Sequence, residues 1–183
     1  MIIRLYDSSG DVPILADVDS GKIEHAEDGC DKLSFFVDTK SADYPLIKEE
    51  VKIAYGDNNW LVKKIQDDSI ECEIDFDFLK SSLLTGYAYK NATLAQVLAG
   101  VMPDGWNIIG ADDCDIEGKQ SYEYATPYEV VYDCMEVFDV RFVWKTRTKQ
   151  LIVRIPNKIT PAGKYISDQL NLKALTFQGS SMS

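Results

Sequence analysis

The chain is expected to be an α+β protein: an antiparallel, β-barrel-like domain interrupted by a small two-helix α+β insert. Strands and turns alone fill the first 85 or so residues, two capped helical segments follow residue 90, and an alternating segment returns near the carboxyl end. The clearest alternation runs from Ile70 to Phe78. Ile70, Cys72, Ile74, Phe76 and Phe78 fall on one face, and Glu71, Glu73, Asp75 and Asp77 on the other. Strand side chains alternate between faces, so this reads as a half-buried strand with an acidic ladder along its wet side. Like charges in one row repel, and a sheet that needs only solubility usually mixes signs. The ladder therefore predicts a surface that repels anions.

Ahead of the ladder, residues 2–6 read as a strand and Asp7-Ser8-Ser9-Gly10-Asp11 as a turn by composition. Further strands are expected near 12–17, 21–27 and 33–38. Residues 51–55 and 60–66 flank Gly56-Asp57-Asn58-Asn59, a hairpin by its turn chemistry, and Asp67-Asp68-Ser69 leads tightly into the ladder. Short strands at this spacing suggest a small barrel or sandwich. The middle of the chain differs. Thr93 with Gln96 three residues later is a capping box, in which each side chain satisfies an orphan backbone donor. Leu94, Val97, Leu98 and Val101 then recur at helical spacing until Pro103. Thr126, Pro127 and Glu129 open a second helix, with Val130, Val131, Cys134 and Phe138 as its buried stripe. Residues 140–144 and 151–155 form a hairpin, with the basic side chains Lys145, Arg147, Lys149 and Arg154 in and beside its turn. Residues 170–177 alternate again. Their expected role is to rejoin the first sheet, giving a domain of residues 1–85 completed by 166–183, with 86–165 inserted.

At 183 residues and 45% hydrophobic content the chain has material for a real core. Its 19 Lys and Arg against 30 Asp and Glu give a net charge of −11, which argues against specific nucleic-acid binding, because affinity for phosphates needs clustered cations. Cys30, Cys72, Cys114 and Cys134 form no C-x-x-C pair, so neither a zinc site nor a disulfide framework is expected. The start, Met1-Ile2-Ile3-Arg4-Leu5-Tyr6-Asp7, lacks the pattern of a secretion leader, and no apolar run approaches about 18 residues. Synthesis in the cytoplasm without membrane insertion is the expectation.

Catalytic patterns are sparse. His25 is the only histidine and no nucleophile-elbow motif accompanies it. Paired carboxylates could serve glycoside hydrolysis, but thirty acidic residues make chance pairs certain. Asp113-x-Asp115-x-Glu117-Gly118 matches the first half of a calcium loop. The closing twelfth position is Tyr124, so Asp113, Asp115 and Glu117 are weak metal candidates and an acidic turn is the better reading. No phosphate-cradling glycine loop and no cofactor motif occurs.

One further signal is collective. Ile3-Arg4-Leu5-Tyr6-Asp7, Glu27-Asp28-Gly29 with Leu33-Ser34-Phe35, Tyr44-Pro45-Leu46-Ile47 before Val51-Lys52-Ile53, Trp60-Leu61-Val62-Lys63-Lys64-Ile65, Thr93-Leu94-Ala95-Gln96-Val97-Leu98 with Gly105-Trp106, and Asn171-Leu172-Lys173-Ala174-Leu175 occur in that order. This pattern resembles the N-terminal region of phage and prophage tail proteins of Gram-positive siphophages, the tail-associated lysin or tail endopeptidase group, similar in fold to baseplate hub proteins. Asp28 stands where that family usually has Asn, a change a turn tolerates. The resemblance implies a virion structural protein at the tail tip, made in the bacterial host cytoplasm, that assembles by protein–protein contacts as a homotrimeric hub closing the tail tube. Its partners would be other tail proteins: distal tail, tape measure, and tail fibre or receptor-binding proteins. It also implies no catalysis in this region, since the enzymatic parts of longer relatives lie further on. In such a ring Glu71, Glu73, Asp75 and Asp77 would line the lumen, where carboxylates keep DNA from sticking. Two other classes stay open on sequence alone: a fragment of a cell-wall hydrolase, and a carbohydrate- or receptor-binding module presenting Trp60, Trp106 or Trp144.

Overall fold

The computed structural model describes residues 2–6, 13–18, 20–26 and 29–156; the expected return strand at 170–177 lies outside them. Seven antiparallel strands form the main sheet: β1 (Ile2–Tyr6), β2 (Pro13–Asp17), β3 (Ser20–Glu24), β4 (Lys32–Phe36), β5 (Lys52–Tyr55), β6 (Asn58–Gln66) and β7 (Ser69–Ile74). Their spatial order is β2-β1-β5-β6-β7-β4-β3. The edge strands β2 and β3 are thus neighbours in sequence, separated only by residues 18 and 19. Six inter-strand spacings would hold flat edges about 29 Å apart, whereas a two-residue link bridges at most about 11 Å between flanking Cα atoms. The sheet must curl, and it forms a half-barrel. Leu33, Phe35, Ile53, Trp60, Val62, Ile70 and Cys72 fill its concave side, each no more than 1% exposed.

The period-two pattern outlasts the strand that it predicts. β7 ends at Ile74, and Phe76 starts a one-turn helix, α1 (Asp77–Lys80), so the acidic ladder does not continue along one face. The described α-helices number three, the other two being α2 (Leu94–Val101) and α3 (Pro127–Val137). Both expected helix starts form, each as a capping box: Thr93 with Gln96 and Thr126 with Glu129 exchange bonds in each direction. Short pairs join β8 (Leu84–Thr85) to β12 (Tyr124–Ala125), and β9 (Ala88–Thr93) to β11 (Glu117–Ser121). The hairpin of β13 (Arg141–Lys145) and β14 (Gln150–Arg154) gains a parallel third strand, β10 (Asn107–Ile109), which the sequence pattern did not signal. One hydrophobic cluster runs unbroken from Ile3 through Phe76 and Leu98 to Val153.

Two hairpin tips latch the half-barrel to the three-stranded sheet. The backbone N–H of Thr146 donates to Asn58 Oδ1 at 2.9 Å, and Thr146 Oγ1 accepts from Asn59 N–H at 2.7 Å. Arg147 donates from Nη1 to Gly56 O at 2.8 Å and from its backbone to Asp57 O, while Lys145 pairs with Asp57 at 3.0 Å. The basic turn is therefore an internal contact at Lys145 and Arg147. Gly29, at φ +73°, closes the same region: a Cβ there would meet Phe142 O at 2.5 Å.

Burial leaves a titration signature. The Cys72 thiol is pushed up to about 12, by desolvation and then by the neighbouring Glu71; Cys134 is likewise pushed up to about 12, by desolvation and then by Asp133. Tyr89 also rises to about 12, chiefly through desolvation. Each group holds its proton more tightly folded than unfolded, so the unfolded chain loses protons first as pH rises and stability falls in that direction. Unfolding free energy measured by urea titration is expected to hold level up to about pH 8.5 and to decline from there towards about pH 12, with Cys72→Ala shallowing the slope; an unchanged value up to pH 11 would contradict the burial. Asn58→Ala strips a buried donor of its acceptor and should lower the unfolding free energy by about 1–3 kcal/mol, read as a lower denaturant midpoint.

Candidate functional site

The acidic strand and the seam beneath it are the first places to look for function. On the convex face of the half-barrel Glu71 and Glu73 point to solvent. Asp75 does not: its side chain is 11% exposed, accepts from Lys52 Nζ at 2.8 Å and from Asp77 N–H at 3.0 Å. Asp77 opens α1 and lies 3.4 Å from the same ammonium. Lys52 is held above its ordinary pKa, first by the hydrogen bond to Asp75. The chain leaves the strand here because Phe76 and Leu79 turn into the core.

Neighbouring strands also change the charge picture. Cross-strand register places Glu24, Lys32, Glu73, Leu61 and Lys52 in one row, and Lys22, Ser34, Glu71 and Lys64 in the next. Lys64 sits 3.7 Å from Glu71. Signs therefore alternate across the sheet where they repeat along the strand. At such spacings an adjacent cation offsets most of each carboxylate's field beyond a Debye length of about 8 Å. The convex face is a mixed-charge surface rather than a uniformly anionic one.

Asp113, Asp115 and Glu117 lie at the surface, the first two in the loop after β10 and Glu117 at the start of β11 opposite Thr93. No cluster of three or more ligand-type side chains occurs among the described residues. Gly118 has a packing reason for being glycine: a Cβ there would stand 2.7 Å from both Phe138 Cζ and Val137 Cγ1. The calcium-loop look of this run thus joins a surface turn to a close approach between β11 and α3.

Below the convex face an aromatic seam joins the sheet to the helices. Phe76 packs against Tyr128 at 5.2 Å and edge-on to Trp144 at 5.0 Å, and Phe78 stacks on Trp106 at 4.6 Å. Lys80 Nζ sits 4.5 Å from the Tyr128 ring centroid, a cation–π contact that sequence reading did not find. Next to it a cleft of about 120 Å³ is lined by Asp31, Lys32, Glu73, Phe76, Lys80 and Tyr128. Drug-sized ligands need about 300 Å³ or more, so this space suits a single side chain. Trp60 and Trp144 are 1% and 6% exposed, and Trp106 is half-buried under Phe78. None forms the open aromatic platform a carbohydrate module would present. His25 Nδ1 is 2.8 Å from Asp31 Oδ2 on the surface, an orienting pair.

Residues 2–75 match the family model described as the prophage endopeptidase tail N-terminal domain. Among solved structures, a prophage tail protein gp18 from Listeria monocytogenes EGD-e superposes with a TM-score of 0.60 at 15% identity, covering 84% of this chain and 50% of that one. A 43 kDa tail protein of prophage MuSo2 from Shewanella oneidensis aligns at a TM-score of 0.42 and 14% identity, over 84% of this chain and 55% of that one. The chain thus spans about half the length of these two proteins, and at 15% identity the likeness to the Listeria protein speaks for the fold alone. No curated protein matches.

Gly118→Ala is expected to force Phe138 or Val137 aside and lower the unfolding free energy by about 1–3 kcal/mol, with the melting temperature of the unaltered chain unmoved by added calcium. A calcium-dependent rise in melting temperature that Asp115→Asn abolishes would instead restore the metal loop.

Proposed function

We propose that the chain is a phage tail protein and an architectural piece of the tail tip, on the premise that its residues 2–75 match the prophage endopeptidase tail N-terminal domain family. The role is a non-catalytic hub: copies and other tail proteins meet through its surfaces, and a homotrimeric ring closes the end of the tube. What carries the reading is the coincidence of the family match with the half-barrel, since both end where β7 ends. In this reading residues 1–85, completed by 166–183, make the hub domain, and 86–165 is its insertion. Distal tail, tape-measure and fibre or receptor-binding proteins are the partners, and the virion is where the protein resides.

Packing supports the absence of a catalytic role here. Several groups a hydrolase would recruit are engaged elsewhere: Asp75 by Lys52, and Cys72, Cys114 and Cys134 within the core. The lumen assignment is kept for Glu71, Glu73 and Asp77, the exposed members of the ladder, and dropped for Asp75, which is buried.

An electron-microscopy reconstruction of tails carrying this protein is expected to place it at the distal end as three copies, with Glu71 and Glu73 towards the channel. Density spread along the tube, or absent from the tail, refutes the hub role. Glu71 and Glu73 on the outer wall remove the lumen assignment alone. Release of soluble fragments from peptidoglycan by the purified chain would favour the hydrolase reading instead.

A further inference from the structure

The sheet β10-β14-β13 turns Leu151, Val153, Phe142 and Trp144 into the core and leaves its other face to solvent. On that face Ile109, Ile152 and Val143 are direct cross-strand neighbours, an apolar row with Ile109 42% and Val143 39% exposed. The row beside it sets Arg141 opposite Arg154, both exposed. Like charges directly opposite on a sheet destabilise it, and among the described residues neither guanidinium makes an ion pair; Arg141 Nη1 donates only to Val140 O, at 2.9 Å. Residues 140–156 hold five of the 19 basic residues and no acidic one. The rest of the chain therefore holds 14 basic residues against all 30 acidic ones, a net of −16.

An exposed aliphatic row bordered by uncompensated cations, within a strongly acidic chain, fits an apolar patch that carries carboxylates. The chain displays such a patch. Ile116 is 44% exposed and is followed by Glu117, with Asp112 also at the surface. We infer that the Ile109–Ile152–Val143 face is a contact between copies of this chain, and that it receives the acid-rimmed Ile116 of a second copy, the Arg141–Arg154 pair taking up its carboxylates. This deepens the assembly role proposed above by naming the surface and its occupant. Overall charge repels two copies, but screening confines that repulsion to about 8 Å at physiological salt, within which the local match of signs dominates. A patch centred on three aliphatic side chains belongs to the weak class of interfaces, so association is expected at high protein concentration and in the crowded tail rather than in dilute solution.

Sedimentation equilibrium of the full chain over a range of concentrations tests this. Reversible self-association is expected, weakening with added salt and weakened at least about tenfold, some 1.4 kcal/mol, by Arg141→Glu with Arg154→Glu or by Val143→Glu. Glu117→Arg should weaken it similarly, and Glu117→Arg in one copy mixed with Arg154→Glu in the other should recover part of the loss. A chain that stays monomeric, or that associates equally in all variants, overturns the proposal. So does a monomer that Val143→Glu destabilises, because the face would then be covered by residues 157–183 of its own chain. None of these outcomes touches the placement of the protein at the tail tip, which the reconstruction decides separately.

Discussion

Two strands that follow each other in the chain lie at opposite edges of a seven-stranded sheet, and the rest of the fold depends on that constraint. Residues 18 and 19 cannot span a flat sheet, so the sheet bends until its edges approach. Bending creates a concave side deep enough to bury Trp60, Phe35 and Ile70 fully. It also leaves an open flank, onto which the helices and the three-stranded sheet pack, and the single hydrophobic cluster is the energetic consequence. The latch of Asn58 and Thr146 then holds the two halves in register with polar, directional contacts, and the close approach of Gly29 to Phe142 adds a steric constraint. Hydrophobic burial alone would leave that register loosely specified.

Charge is organised at the level of the sheet and not of the strand. Along β7 the exposed groups are all acidic, yet Lys32, Lys52 and Lys64 arrive from β4, β5 and β6 to alternate with them. Elsewhere the separation is real. The segment around β13 and β14 is wholly basic among its charged residues, in a chain whose acidic groups lie outside it. Two of its cations are spent on the hairpin latch, and Arg141 and Arg154 stand together on the open face. A monomer gains nothing from such a pair, whereas an assembling protein gains orientation and partner choice.

For the architectural role proposed above these features are coherent. An architectural module needs a rigid core and surfaces that tell copies and neighbours apart, while a reaction centre would need a convergent pocket. The described surface offers a cleft for one side chain and tryptophans folded inward, alongside an apolar face bordered by cations.

Local chemistry alone determined the strand-rich first half, both helix starts and most of the core. Period-two burial acts within a few residues, and capping boxes such as Thr93 with Gln96 close within one turn. The turn glycines were legible for the same reason. Tertiary structure alone decided where the acidic strand stops, because Phe76 continues the alternation in sequence but is drawn into the aromatic seam with Tyr128 and Trp144, more than fifty residues away. It also decided the company each charge keeps: Asp75 with Lys52, Asp57 with Lys145, Arg141 beside Arg154. β10 escaped notice because a three-residue strand has too little period to read, and becomes one only when β14 presents an unpaired edge. Patterns within a strand are local, whereas pairing across strands depends on loop closure and curl, which sequence spacing does not encode.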